Sequence, residues 1–237
     1  MHPDLRIGCC GFAGARDRYY NTFPLIEIQQ TFYDPPQLKT AEKWRAEAPP
    51  QFEFALKAWQ LITHPATSPT YRRLRKPLPE SDQPLVGNFQ LTDPVLRAWE
   101  TTAAIAHALR ARVVLFQCPA SFTPTAQNLA NMRKFFKKIK RENLLFAWEP
   151  RGKWEDATLR DPCDSLGLIH CVDPFARLPI TQDINYFRLH GIGGYRYRFT
   201  DEDLKRVRSL CREAETHYVL FNNLSMFDDG VRFLRLI

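Results

Sequence analysis

The 237-residue chain has no apolar run that approaches the roughly 18–20 residues a membrane-spanning helix needs. Its first residues, Met1-His2-Pro3-Asp4-Leu5-Arg6, lack the basic-then-apolar order of a signal peptide, so a cytoplasmic location without membrane partners is expected. There are only six cysteines and no CxxC pair, which leaves no disulfide framework, zinc knuckle or iron–sulfur motif. Cys9 and Cys10 are adjacent, so their side chains diverge in a strand, and Cys118 and Cys171 lie in apolar runs as small core residues. HxxxH and HxH pairings are also missing. No cofactor is therefore expected; a divalent ion on Glu27, Glu149, Asp173 and His190 is the weaker alternative, because neighbouring lysine and arginine would compete for the carboxylates.

What remains is a soluble globular composition, 44% hydrophobic and 25% charged, at a length that suits one (β/α) barrel. The net charge of +7 and the pI of about 9.2 point to an anionic partner, a small molecule or nucleic acid, or serve solubility alone. Nothing in the sequence fixes the oligomeric state.

Eight segments have strand character: 5–10, 25–31, 52–57, 112–117, 144–149, 166–173, 185–191 and 217–223. Most are separated by helical patterns, at 40–48, 92–110, 121–140 and from Thr200 onward, which predicts a parallel sheet. Eight such units predict closure into a TIM-type (β/α)8 barrel in one domain, although a doubly wound open sheet reads similarly. Residues 65–91, rich in proline and polar groups with a basic run over 71–76, read as a loop excursion over the barrel top. That basic run is either a solvated face or a phosphate-contacting loop.

Alternation along the strands selects the candidate site. In Leu144-Leu-Phe-Ala-Trp-Glu149, Leu145, Ala147 and Glu149 share one face, and Pro150 ends the pairing. Glu149 thus stands at the carboxyl end of a buried strand. The same parity separates Glu27, Gln29 and Thr31 from Ile26 and Ile28, puts Lys57 on the face opposite Phe54, and puts Arg188 and His190 opposite Phe187 and Leu189. With His64, Gln117, Arg151, Asp173 and Asn222, these residues converge on the mouth of a barrel, where barrel enzymes keep their chemistry.

Each has a functional and a structural reading. Glu149 and Glu27 are a general acid–base pair, or buried ion-pair partners of Arg188 and Lys57. Lys57 holds an anion or, desolvated, forms a Schiff base. His190 is a proton shuttle or a satisfied core histidine. Arg188, Arg151, His64, Gln117, Asp173 and Asn222 are substrate-binding candidates. Tyr33, Trp154 and Tyr195 either stack on a base or sugar ring or simply pack. Gly191, Gly193 and Gly194 permit close approach to an anion but lack the spacing of a dinucleotide fingerprint.

Several of these pieces occur together in one family: Ile7-Gly-Cys-Cys-Gly11, Ile26-Glu-Ile-Gln-Gln-Thr-Phe-Tyr33, Phe54-Ala-Leu-Lys57 with Ile62-Thr-His64, Gln117-Cys-Pro-Ala-Ser-Phe122, Trp148-Glu-Pro-Arg151 with Trp154, Tyr186-Phe-Arg-Leu-His-Gly191 and Asn222-Asn223. The chain resembles the domain of unknown function 72 (YecE-like) proteins over nearly its whole length. The resemblance implies a TIM barrel and brings no established activity. The chain departs from the family pattern at Cys9, Cys10, Phe12, Gln29 and Gln30, and leaves its charged positions intact. The residues lead to two expectations: a hydrolase, nuclease-like or glycosidase-like, acting on a phosphate-bearing substrate, or a non-catalytic protein binding nucleic acid or a phosphorylated metabolite.

Overall fold

In the computed structural model, which describes residues 3–237, the strands close on one another. Met1 and His2, part of the N-terminal stretch considered above, lie outside those residues. The elements run β1 (Asp4–Cys9), α1 (Arg16–Thr22), β2 (Leu25–Ile28), α2 (Gln30–Tyr33), α3 (Leu38–Glu47), β3 (Glu53–Lys57), α4 (Gln60–Thr63), α5 (Asp93–Leu109), β4 (Val113–Gln117), α6 (Ala126–Lys138), β5 (Leu145–Glu149), α7 (Asp156–Leu166), β6 (Ile169–Val172), β7 (Ile184–Leu189), α8 (Asp201–Leu210), β8 (Thr216–Phe221) and α9 (Met226–Leu234). All strands are parallel, and β8 returns to β1 to complete an eight-stranded barrel. The fold is the TIM-type barrel expected from the alternating pattern, in a single domain. Among the described residues, no helix is long and apolar enough to cross a membrane.

Strand parity produces two separate cores. The outward-facing residues pack under the helices. Between β4, β5 and their helices, Trp99, Phe116, Phe135, Phe136 and Phe146 form an aromatic layer joined by Phe89 from the loop after β3. The inward-facing residues, Cys10, Leu25, Ala55, Leu115, Ala147, Cys171, Tyr186, Tyr218 and Leu220, fill the barrel below its mouth. Their small volumes beside two tyrosines leave room above for longer polar side chains. All six cysteines are buried free thiols, and Cys9 and Cys10 do face opposite cores.

Some boundaries differ from the sequence reading. β2 stops at Ile28 instead of running to Thr31, and the chain turns at once into the short helix α2. The Thr31 hydroxyl lies 2.7 Å from the Lys57 carbonyl and 2.9 Å from that of Ile28, a side-chain bond that replaces a ladder bond. Leu166 closes α7, with Gly167 in the left-handed conformation, so β6 begins only at Ile169. β8 ends at Phe221, leaving Asn222 and Asn223 in the loop. Thr92 precedes α5 but does not cap it; its hydroxyl donates to the Leu85 carbonyl. Thr200 and Asp203, by contrast, form a reciprocal capping box at the start of α8.

The segment 65–91 follows α4, makes 3-10 turns at Pro69–Arg73 and Gln83–Leu85, and is fastened at both ends. The Tyr71 hydroxyl donates to the His64 carbonyl, and the Gly87 amide to that of Leu61. Its basic run is partly engaged: Arg73 lies 3.5 Å over the Tyr33 ring and Arg75 pairs with Asp34 at 2.9 Å.

The tightest constraint on closure is Gly8, which pairs with Leu25 across β1 and β2. A Cβ at this position would lie 2.1 Å from the Leu25 carbonyl oxygen. Gly8→Ala is therefore expected to force the strands apart and lower unfolding stability by about 2–3 kcal/mol, measured as the urea midpoint at constant slope; an unchanged midpoint would show that the strands do not approach this closely.

Candidate active site at the barrel mouth

Arg188, the largest charged side chain inside the barrel, is 1% exposed. Parity on β7 turns it inward, directly above Tyr186 on the same strand. One terminal nitrogen, Nη2, donates to Glu27 Oε1 at 3.0 Å; the other, Nη1, donates to Glu149 Oε2 at 2.5 Å. The guanidinium thus bridges carboxylates from β2 and β5 across the barrel. Glu27 is completed by the Tyr186 hydroxyl on Oε2 (2.8 Å) and the Gln29 amide on Oε1 (3.0 Å). Glu149 is completed by Arg151 Nε on Oε1 (2.5 Å).

The charges follow from these contacts. Burial pushes the Glu149 carboxyl up, but Arg188, Arg151, His190 and Lys57 together outweigh it and hold it at about 2. The Arg188 guanidinium, desolvated yet facing two carboxylates, stays charged, its pKa raised well above the usual value. Glu149 is consequently an ionised anchor at neutral pH and has no proton to give.

Lys57 has no carboxylate within ion-pair distance among the described residues. Its Nζ donates to Gln117 Oε1 at 3.0 Å and lies 3.8 Å over the Phe32 ring. Burial and the neighbouring Arg188 lower its pKa to about 7, against the raising effect of Glu27 and Glu149. His64, buried against Phe32 with Nδ1 2.8 Å from the Thr63 hydroxyl, is lowered to about 3 by burial and by Lys57 and Arg151, and is neutral at ordinary pH.

Next to this buried centre, His190 and Asp173 line an accessible cleft of about 300 Å³ with Glu149, Arg151, His170 and Arg177. Asp173 Oδ2 accepts the His190 backbone amide at 2.9 Å and lies 3.4 Å from its Nδ1. On the other side, His190 Nε2 is 2.8 Å from Arg151 Nη2 and 3.4 Å from Arg188 Nη1. Arginine only donates, so Nε2 accepts and the ring proton is on Nδ1, toward Asp173. The Asp173 carboxyl is pushed up by burial but held below its usual value by the bonds from His190 and Phe175. Among the described residues, no group of three or more His, Cys, Asp or Glu side chains is arranged to hold a metal ion.

The family profile described as "Protein of unknown function DUF72" matches residues 14–235. The chain belongs to the DUF72 family. It is 24% identical to the UPF0759 protein YunF of Bacillus subtilis (strain 168), over 92% of this chain and 85% of that one. Among solved structures it is similar to a DUF72 family protein from Enterococcus faecalis V583 (19% identity, TM-score 0.72, 99% and 98% of the two chains) and to one from Thermotoga maritima MSB8 (17%, TM-score 0.68, 98% of each). A D-psicose 3-epimerase shares the barrel at 9% identity, TM-score 0.58, over 98% and 97% of the chains.

In this DUF72 chain, Glu27, Lys57, His64, Gln117, Glu149, Arg151, Asp173, Arg188 and His190 come together at the mouth. Asn222 stands at the end of β8 on the inward parity, half-buried. Its neighbour Asn223 is the more constrained, donating to the Tyr197 carbonyl and to Asp229. Two of the aromatic candidates are engaged elsewhere. Trp154 is buried, donates its indole N–H to the Phe122 carbonyl, and packs edge-on against Trp148, so it is a core residue instead of a stacking platform. Tyr33 is covered by Arg73. Tyr195 is exposed on the loop after β7. Sequence reading missed Tyr186, which alternation places two residues below Arg188, and Arg177, for which no pattern gives a signal.

The Glu149 carboxyl ordinarily titrates near 4.5 and is held at about 2 here. Its ionised form therefore contributes roughly 3 kcal/mol of stability, fully present above pH 4.5 and lost as the pH falls through 2. Glu149→Gln is expected to be less stable at pH 7 and to show a shallower loss of stability below pH 4.5, measured by urea unfolding along a pH series; an unaltered acid slope would mean that Glu149 is not the ionised partner of Arg188.

Proposed function

We propose that the protein is a hydrolase acting on a small phosphate-bearing substrate in the cleft beside β5, β6 and β7. The observation that carries this reading is the Asp173–His190–Arg151 arrangement at the edge of an accessible cleft, with a histidine whose Nδ1 faces a carboxylate and whose Nε2 lone pair accepts from Arg151. Arg151 and Arg177 supply positive charge for a phosphate. When the anion draws Arg151 onto itself, His190 Nε2 becomes available to take a proton from an attacking water, and Asp173 stabilises the resulting imidazolium. Glu149 and Glu27 act here as struts that keep Arg151 and Arg188 in place; proton transfer falls to His190.

A second reading, that the same face holds nucleic acid with or without turnover, is favoured by the exposed cations Arg72, Lys76, Lys153, Arg196 and Arg198 on loops at the carboxyl ends of the strands, and by exposed Tyr195 on the same loop as Arg196 and Arg198. It requires an affinity that falls steeply with salt.

His190→Ala is expected to lower kcat on an activated phosphomono- or phosphodiester by roughly 10²–10⁴ with KM little changed, whereas Arg151→Ala raises KM. Steady-state kinetics on both variants check this. Turnover by the two variants equal to that of the parent protein would dismiss the hydrolase, and salt-sensitive oligonucleotide binding without turnover would favour the second reading.

A further inference from the structure

Lys57 has the setting of a nucleophile rather than that of an anion holder, and the hydrolase reading above does not use it. We propose that Lys57 forms a Schiff base with a small anionic aldehyde or ketone bound at the barrel mouth. The inference goes beyond hydrolysis and stands on separate observations.

The first is isolation. Lys57 is 3% exposed, and the two nearby carboxylates are already committed to Arg188. A buried ammonium without a carboxylate partner, flanked by guanidinium groups, loses its proton readily. The pKa of about 7 agrees, leaving about half of the side chain as free amine at pH 7.

The second is the geometry around Gln117. Its carboxamide oxygen accepts from Lys57 Nζ at 3.0 Å and from Arg188 Nη1 at 3.3 Å. The mouth therefore already accommodates a carbonyl oxygen between an amine and a fixed guanidinium. Gln117 is partly exposed at the end of β4, and its side chain is the cover that must turn aside. A substrate carbonyl replacing it would have its oxygen polarised by Arg188 and its carbon presented to Nζ. The third is charge: Arg151, 41% exposed, and the adjacent cleft suit a carboxylate or phosphate on the same small molecule.

The chemistry balances without another reactant. The Nζ lone pair forms a C–N bond as the carbonyl π bond breaks, and one hydrogen passes as a proton from the nitrogen to the oxygen to give a carbinolamine. A second proton then releases that oxygen as water, and the nitrogen, keeping one hydrogen, becomes the protonated imine. One amine, one carbonyl and one proton give one iminium and one water.

The test incubates the full-length protein with pyruvate, or with dihydroxyacetone phosphate, and reduces it with sodium borohydride before intact-mass and peptide analysis. The expected result is a single stable adduct on Lys57, formed at pH 7 about a thousandfold faster than on exposed lysines and rising with pH through a midpoint near 7. The more reactive probe identifies the carboxylate or the phosphate as the anionic group. Lys57→Met, which removes the amine without fixing a charge in the buried site, should abolish the adduct; if that variant does not fold, the peptide map of the parent protein decides. No adduct with either probe, or labelling spread evenly over surface lysines, would overturn the proposal. Because the readout is a covalent mass, it is indifferent to whether any phosphoester is hydrolysed.

Discussion

The mouth of this barrel depends on one cation. Arg188 is fully desolvated and is tolerated only because Glu27 and Glu149 approach it from opposite sides. The two carboxylates in turn cannot be buried without it. With Arg188 committed to this bridge, the remaining charges have defined places: Arg151 closes over the outer oxygen of Glu149, His190 accepts from Arg151, and Lys57 is left beside an amide oxygen. The division into a charge-paired buried centre and an accessible His190–Asp173 cleft follows from that single allocation.

The barrel beneath explains why the bridge can form. Gly8, Ala55 and Ala147 keep the inner layers narrow, and Tyr186 rises from the layer below to donate to Glu27. Parallel pairing with every strand ending at the same side brings β2, β4, β5 and β7 to one rim, so four residues spread over 161 positions of sequence meet within hydrogen-bonding distance. The family likeness fits this picture at the level of the fold. The chemistry has to be argued from these side chains.

Much of this was legible in the sequence because strand parity is a short-range rule. Glu27, Lys57, Glu149 and Arg188 fall on inward positions by counting alone, and Pro150 marks where the ladder ends. What was not legible is long-range or local to loops. Counting could not say which carboxylate meets Arg188, or that both do, nor that Gln117 rather than an acid would receive Lys57. Alternation was carried too far at Thr31 because no glycine or proline breaks the pattern there; a hydroxyl reaching the Lys57 carbonyl ends the strand instead. Trp154 reads as a loop aromatic, yet the loop folds back and its indole finds a carbonyl in the core. The tautomer of His190 depends on Arg151, thirty-nine positions away.

The most direct test of the central claim is the unfolding free energy of Arg188→Met alone and combined with Glu27→Gln and Glu149→Gln. A loss of about 3–5 kcal/mol is expected for the single change, which strands two buried carboxylates, with most of that loss recovered in the neutral triple variant. Wild-type stability in Arg188→Met, or a triple variant whose loss equals the sum of the single losses, would contradict it.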